Sequence, residues 1–287
     1  MQRVDTKIKL HFVENFTEGD KDEQLEAMKN YFDFVPPEEA EAIYCASIIM
    51  SERAEQLSAI YKKPLVTYCW DYYLWAHEGR SPGYNWPFYA GVLKKSDVVF
   101  VPSSGQQKRL KELLDVQSIV VHTGILTYDH DTKNGGYVLD PVRDYPEENL
   151  GWVKRACEEL NIPYVHTEHG YSKEEFRKLV SECSFMTCGY REASTGGLTL
   201  MEGLFNGKRS LVSNSPYMGA SDYLRELGAY FQYDNYEDLK EKILEMWGGK
   251  DFDRTIARTH VEKYSFDEMA RGLYNGIKNA CEQRKSS

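Results

Sequence analysis

No stretch of the 287-residue sequence is both long and apolar; runs such as Val98 to Val101 are strand-sized, against the roughly 20 residues of a spanning helix. A transmembrane segment is therefore not expected, although docking on a membrane surface stays open. Cysteine pairs at C-x-x-C spacing are also missing: Cys45, Cys69, Cys157, Cys183, Cys188 and Cys281 lie scattered. The N-terminus shows none of the charged, apolar and cleavage regions of a signal peptide. Together these absences predict a cytoplasmic chain with reduced thiols. Positive charge is in short supply, with 35 Lys and Arg against 45 Asp and Glu, a formal charge of -10. Such a molecule repels polyanions as a whole, which lowers the expectation of a nucleic-acid partner without excluding a local basic patch. Neither G-x-G-x-x-G nor G-x-x-x-x-G-K-[ST] occurs, so the phosphate loops of dinucleotide dehydrogenases and P-loop NTPases are lacking.

The composition that remains is ordinary for a globular protein, 41% hydrophobic and 28% charged, and can bury one large core or two of normal size. Short β-branched runs alternate with longer helical stretches, which predicts βαβ units around parallel sheets. Ala42 to Met50, Pro64 to Cys69, Val98 to Val101 and Ser118 to His122 read as strands, with helices over Glu52 to Tyr61 and Gly105 to Leu114. The basic Lys108, Arg109 and Lys111 on the second helix are most simply a solvated face. A polar, aperiodic stretch at Leu126 to Gly136 reads as a linker. After it the alternation restarts, with strands at Tyr137 to Leu139, Pro163 to His166, Phe185 to Cys188 and Ser210 to Ser213. The intervening helices are Glu148 to Leu160, Ser172 to Cys183 and Leu198 to Phe205. Two successive α/β blocks suggest two Rossmann-like lobes with a cleft between them, and in such sheets ligands lie beyond the carboxyl ends of the strands.

One segment concentrates the chemistry. Arg191, Glu192, Ala193, Ser194, Thr195, Gly196, Gly197 and Leu198 lead from a strand through paired glycines into a helix that runs past Glu202 to Gly207. A helix start of this kind presents N–H groups and a positive dipole end to an anion, and glycine lets a phosphate approach the backbone. Glu202, in the second turn, is placed to accept hydrogen bonds from two ribose hydroxyls. Leu198, Met201 and Phe205 are the expected buried face, and Gly207 the C-terminal stop. The plainer alternative is a strand-to-helix turn without a ligand. Lys208 and Arg209, just beyond, read as surface residues.

This stretch resembles the nucleotide-sugar motif of GT-B glycosyltransferases, in particular family 4, in which a Glu, a Gly-containing loop and a second Glu precede a helix ending in Gly. Glu202 matches the second Glu, which the resemblance makes the ribose ligand. Gly196, Gly197 and Leu198 match the loop facing the donor phosphates and sugar. The first Glu of the pattern falls at Ser194, with Glu192 two residues early. Gly170 to Met186 resembles the helix and buried strand before the motif, a region whose loop usually holds the base, and so places His169, just before Gly170, near the donor base or phosphates. Ser96 to Ser104, Val120 to Ile125 and Tyr264 to Tyr274 resemble, in order, the last step of the first lobe, the interlobe segment and a C-terminal helix crossing back onto the first lobe. The implied division is an acceptor-side lobe over 1–125, a nucleotide-sugar lobe over 126–261 and a crossover helix over 262–287.

The resemblance implies retaining, metal-independent transfer with no cofactor beyond the donor itself. Charge on the departing diphosphate must then be neutralised by the helix start and by basic side chains. Arg143 stands where the family carries an arginine, and a guanidinium suits phosphate; a salt bridge with Asp140 or Asp144 is its alternative role. Pro64 to Asp71 resembles a family strand and loop in which Trp70 replaces a histidine. Asp71 and the nearby His77 are the candidates for positioning or deprotonating the acceptor hydroxyl, with a capping role as the alternative for Asp71. Trp70, Tyr72, Tyr73, Trp75, Tyr84, Trp86, Phe88 and Tyr89 crowd one segment, where some belong to the core and at least two are expected to line the acceptor side. His166 and His169 lack a third ligand at metal spacing. Tyr217, Met218 and Gly219 form a further candidate loop. Three rival readings stand beside transfer to a glycan, lipid or small molecule. They are a non-catalytic subunit of the same fold, a sugar-nucleotide epimerase, and a glucosyltransferase acting on modified DNA bases, the last disfavoured by the net charge.

Overall fold

The computed structural model describes residues 6–13, 21–46, 50–69, 85–125, 127–129, 135–141, 147–167, 171–188, 193–194 and 197–285, with backbone alone at 21, 22, 147–150, 193, 194 and 285. The chain forms two compact units, Met1–Gly124 with Tyr264–Ser287, and Ile125–Lys263.

The first unit runs β1 (Ile8–Val13), α1 (Lys21–Met28), β2 (Phe32–Phe34), β3 (Ala42–Cys45), α2 (Ser51–Tyr61), β4 (Leu65–Tyr68), α3 (Trp86–Lys95), β5 (Val98–Val101), α4 (Ser104–Leu114) and β6 (Ile119–Val120). Its strands pair in parallel in the order β2-β1-β3-β4-β5-β6. Strands β3 and β4 are buried at every position, as a strand covered on both faces requires. Side-chain caps set the helix starts: Asn85 accepts from Phe88 N at 3.2 Å, and Ser103 from Gln106 N at 3.3 Å. The strand expected to reach Met50 stops at Cys45, and Ser51 already opens α2. Strands β1 and β2 were not anticipated.

The second unit runs β7 (Val138–Asp140), α5 (Glu147–Glu159), β8 (Tyr164–His166), α6 (Lys173–Glu182), β9 (Phe185–Thr187), β10 (Ala193–Ser194), α7 (Leu198–Phe205), β11 (Ser210–Ser213), β12 (Tyr217–Met218), α8 (Ala220–Leu224), β13 (Tyr230–Tyr233), α9 (Tyr236–Met246) and α10 (Arg254–Val261). Its parallel five-stranded sheet has the order β13-β11-β9-β7-β8, which places a topological switch point between β7 and β9. Helix α6 begins with a reciprocal cap, in which Ser172 and Glu175 each satisfy the other's backbone N–H. Leu211, Phe185, Val138, Val153, Leu239 and Ile243 make the core on one face of this sheet.

After α10 the chain returns to the first unit as α11 (Phe266–Lys285). Met269, Leu273 and Ile277 of this helix enter the same core as Leu10, Tyr44, Tyr68 and Phe100. At its start, Asp267 accepts a hydrogen bond from Tyr31 Oη at 3.1 Å. Burial, with the Asp267 carboxylate next in weight, pushes the Tyr31 phenol up to about 12. None of the six cysteines forms a disulfide, and all six are buried. Among the described residues no helix is long and apolar enough to cross a membrane.

Candidate functional site

Helix α7 begins at Leu198, four residues after the short strand β10 ends. Strand β10 pairs in parallel with β12, Ala193 opposite Tyr217 and Ser194 opposite Met218. The two loops singled out from sequence are thus neighbours. Gly197 then supplies the helix N-cap, a residue with no capping side chain of its own. A Cβ at Gly197 would lie 3.0 Å from Ala220 Cβ and 3.1 Å from its Cα, so the close approach of this turn to α8 calls for glycine. Helices α4, α6, α9 and α10 instead begin with Ser103, Ser172, Asn235 and Asp253, each accepting a hydrogen bond from its own first turn. A glycine N-cap adds no side-chain acceptor of its own to the dipole end of α7, an arrangement that suits an incoming anion.

The buried face of α7 differs from expectation. Leu200, Met201, Gly203 and Leu204 are buried, whereas Leu198 and Phe205 are half-buried. Packing against Met186 decides this: a Cβ at Gly203 would overlap the Met186 sulfur, so the helix lies against β9 along its Gly203 side. Glu202 is half-buried, one turn into the helix. The far end closes as a Schellman turn. Lys208 N donates to Gly203 O at 3.0 Å and Gly207 N to Leu204 O at 2.7 Å, with Gly207 at φ +83°.

Lys208 is not a surface residue. Its side chain has 0% exposure and reaches the Asp251 carboxylate at 3.2 and 3.3 Å. Arg209 is half-buried, its guanidinium 5.9 Å from the centroid of the Phe231 ring.

At the switch point, Asp140 ends β7 fully buried and accepts from Tyr164 Oη at 3.1 Å. Burial first, and the Asp140 charge second, drive the Tyr164 phenol far above its ordinary range. Burial likewise pushes the Cys157 thiol up to about 12, with Asp140 adding to the effect. His166 lies opposite Asp140 in the β7–β8 register. Among the described residues no cluster of three or more His, Cys, Asp or Glu is arranged to hold a metal.

Several expected site residues, Asp71, His77, Arg143, His169, Gly170, Glu192, Thr195 and Gly196, lie outside the described residues; of Ser194 only the backbone is described. Of the aromatic segment, Trp70, Tyr72, Tyr73, Trp75 and Tyr84 also lie outside them. Tyr89 is fully buried, 6.1 Å from the Trp86 ring, and Phe88 packs against the core of the first unit. Sequence reasoning missed Asn206, Asp251 and Arg254, which assemble around the base of α7. Asn206 and Arg254 are 48 residues apart in the chain, and no local pattern announces the pairing.

No family model matches the chain, and no curated protein matches it in sequence. Solved structures do match. HepE from Anabaena, determined with UDP-glucose, aligns over 98% of this chain and 100% of its own, with TM-score 0.62 and 12% identity. A glycosyltransferase from Rickettsia africae aligns over 96% and 99%, with TM-score 0.61 and 13% identity. The fold is GT-B. TarM from S. aureus aligns over 82% of this chain but only 54% of its own, with TM-score 0.61 and 13% identity. The chain thus spans about half the length of TarM. Within the GT-B fold, helix α7 with its glycine N-cap and the β7–β9 switch point both belong to the second unit.

Proposed function

We propose that the protein is a retaining, metal-independent glycosyltransferase that moves a sugar from a nucleotide-diphosphate donor to an acceptor hydroxyl. The observation that carries this reading is the glycine-capped start of α7 with Glu202 one turn inside it, in a chain whose fold neighbours include HepE solved with UDP-glucose. In this scheme the amides at Gly196, Gly197 and Leu198 face the diphosphate. Their dipole and Arg143 offset the charge that grows on the leaving oxygens as the glycosidic bond breaks. Glu202 holds the ribose, and His169 and Gly170 flank the base. Asp71 or His77 orients the acceptor hydroxyl and takes its proton. The charge neutralisation comes from fixed groups of the chain itself, which is why the reaction is proposed to run without a metal.

A mass-spectrometric screen of nucleotide sugars tests the proposal, with Glu202→Ala measured beside the parent. A charged hydrogen-bonding pair is worth about 1.5–3 kcal/mol, so the variant is expected to bind the donor about 10- to 100-fold more weakly. The reading falls if no nucleotide sugar binds the parent, or if the variant binds equally well. Ser194 and Trp70, at positions where the family pattern has a carboxylate and an imidazole, favour a second reading, a non-catalytic subunit of this fold. Donor binding without sugar transfer or hydrolysis decides for it.

A further inference from the structure

We infer that Asn206 and Arg254 are positioning residues for the donor ribose, acting through the helix that carries Glu202; this rests on the donor reading above. Helix α7 has only 8 residues. A helix this short has little stability of its own, so the placement of Glu202 is decided where its ends are fastened. At the N-terminal end that fastening is Gly197 against Ala220. At the other end it is Asn206, which is fully buried.

Asn206 stands four residues after Glu202, but its backbone N–H is directed to Gly203 O, at 3.0 Å. Its side-chain Nδ2 instead donates to Glu202 O at 3.0 Å, and to Tyr128 O at 2.9 Å. Arg254, the first residue of α10, grips the same residue, with Nε donating to Asn206 O at 3.2 Å and Nη2 to Asn206 Oδ1 at 3.4 Å. Two further contacts zip this segment to the turn: Phe252 N donates to Gly207 O at 2.7 Å, and Asp251 pairs with Lys208. The glycine stop at Gly207 satisfies the carbonyls of Gly203 and Leu204, not that of Glu202. The Asn206 amide takes the carbonyl of the residue proposed to hold the ribose, and ties it at the same time to Tyr128 and Arg254. Residues 251–254 therefore form a collar that sets how far the Glu202 carboxylate stands toward the nucleotide.

Calorimetric titration tests this role with UDP and GDP, each compared with its 2′,3′-dideoxy form. The wild type is expected to prefer the ribose form at least tenfold, and Glu202→Gln to lose that preference. Arg254→Met and Asn206→Asp are expected to bring the preference below threefold while affinity for the dideoxy nucleotide changes less than twofold. Asn206→Asp keeps the side-chain shape and an acceptor for Arg254, so it remains informative if Arg254→Met does not fold. Arg254→Lys, which keeps the charge without the planar fork, is expected to lie between. The inference is overturned if the wild type prefers ribose and these variants keep that preference, or if they lose affinity for both forms alike. A wild type that binds neither UDP nor GDP overturns the donor reading itself, a result plainly distinct from the other two.

Discussion

At the scale of single residues, Lys208 and Asp251 show how position in the chain misleads. Two basic residues just past a helix stop read as surface, yet Lys208 has 0% side-chain exposure and Asp251 has 25%. The partner is 43 residues away, so nothing local could have indicated burial. This unequal exposure makes the two truncations unequal. Asp251→Ala takes the carboxylate away from a fully buried ammonium, and breaking a buried pair by removing one partner costs about 3–5 kcal/mol. Lys208→Met leaves a carboxylate that already reaches water and replaces the ammonium with an apolar stem, so a loss of about 1 kcal/mol is expected. Denaturant midpoints of the two variants measure the difference, and equal losses would contradict it. The start of α7 behind Gly197 was legible because a glycine ahead of an apolar helical run is a local pattern. The contact between Asn206 and Arg254 was not, because it joins residues 48 positions apart.

At the scale of elements, the C-terminal helix α11 lies close on its sheet because glycine faces the strands. A Cβ at Gly276 would come within 2.5 Å of Phe100 Cζ, a ring with 0% exposure, while one at Gly272 would meet Val121 Cγ1 at 3.1 Å. Replacing a helix-interior glycine by alanine gains up to about 1 kcal/mol in propensity. At Gly272 a shift of a few tenths of an ångström relieves the contact, so Gly272→Ala is expected to be neutral within about 0.5 kcal/mol. At Gly276 the overlap with a packed ring outweighs the gain, and Gly276→Ala is expected to lose about 1–3 kcal/mol. Thermal melts of the two variants check the order. Elements with strong local signals were legible: β5, α7 and β11 have the bounds read from sequence, and α4 begins one residue earlier than read, at Ser104 just after its Ser103 cap. Strand β1 was missed although Ile8 and Leu10 alternate with exposed Lys7 and Lys9, since a charged, half-buried edge of a run weakens the period-2 signal. The β10–β12 pairing, two residues on each side, has no periodicity to read, and it is this pairing that brings the candidate loops together.

At the scale of the whole molecule, the two units differ in how the chain builds them. Ile125–Lys263 is continuous and contains its own sheet and core. The other unit is split: Met1–Gly124 supplies six strands, but Met269, Leu273, Tyr274 and Ile277 from the far end of the chain complete the core around Leu10, Tyr44 and Phe100. Gly124 N donates to Met269 Sδ at 3.3 Å, and the His122 ring meets Tyr264 edge-on with centroids 5.3 Å apart, so the two strands of chain leaving this unit are fastened side by side. Burying an aliphatic or aromatic core side chain is worth about 1.5–3 kcal/mol, so losing four of them removes a quantity comparable to the whole stability of a domain. Residues 125–263 expressed alone are therefore expected to melt cooperatively, whereas 1–124 alone is expected to expose its sheet and aggregate. Joining 264–287 to that fragment through a flexible linker is expected to restore a cooperative transition, because the helix then returns at high effective concentration to the face it covers. Circular dichroism melts of the three polypeptides decide the matter: a stable 1–124 would mean that α11 is an accessory to the first sheet, and an unfolded 125–263 would mean that the second core depends on residues outside its own span.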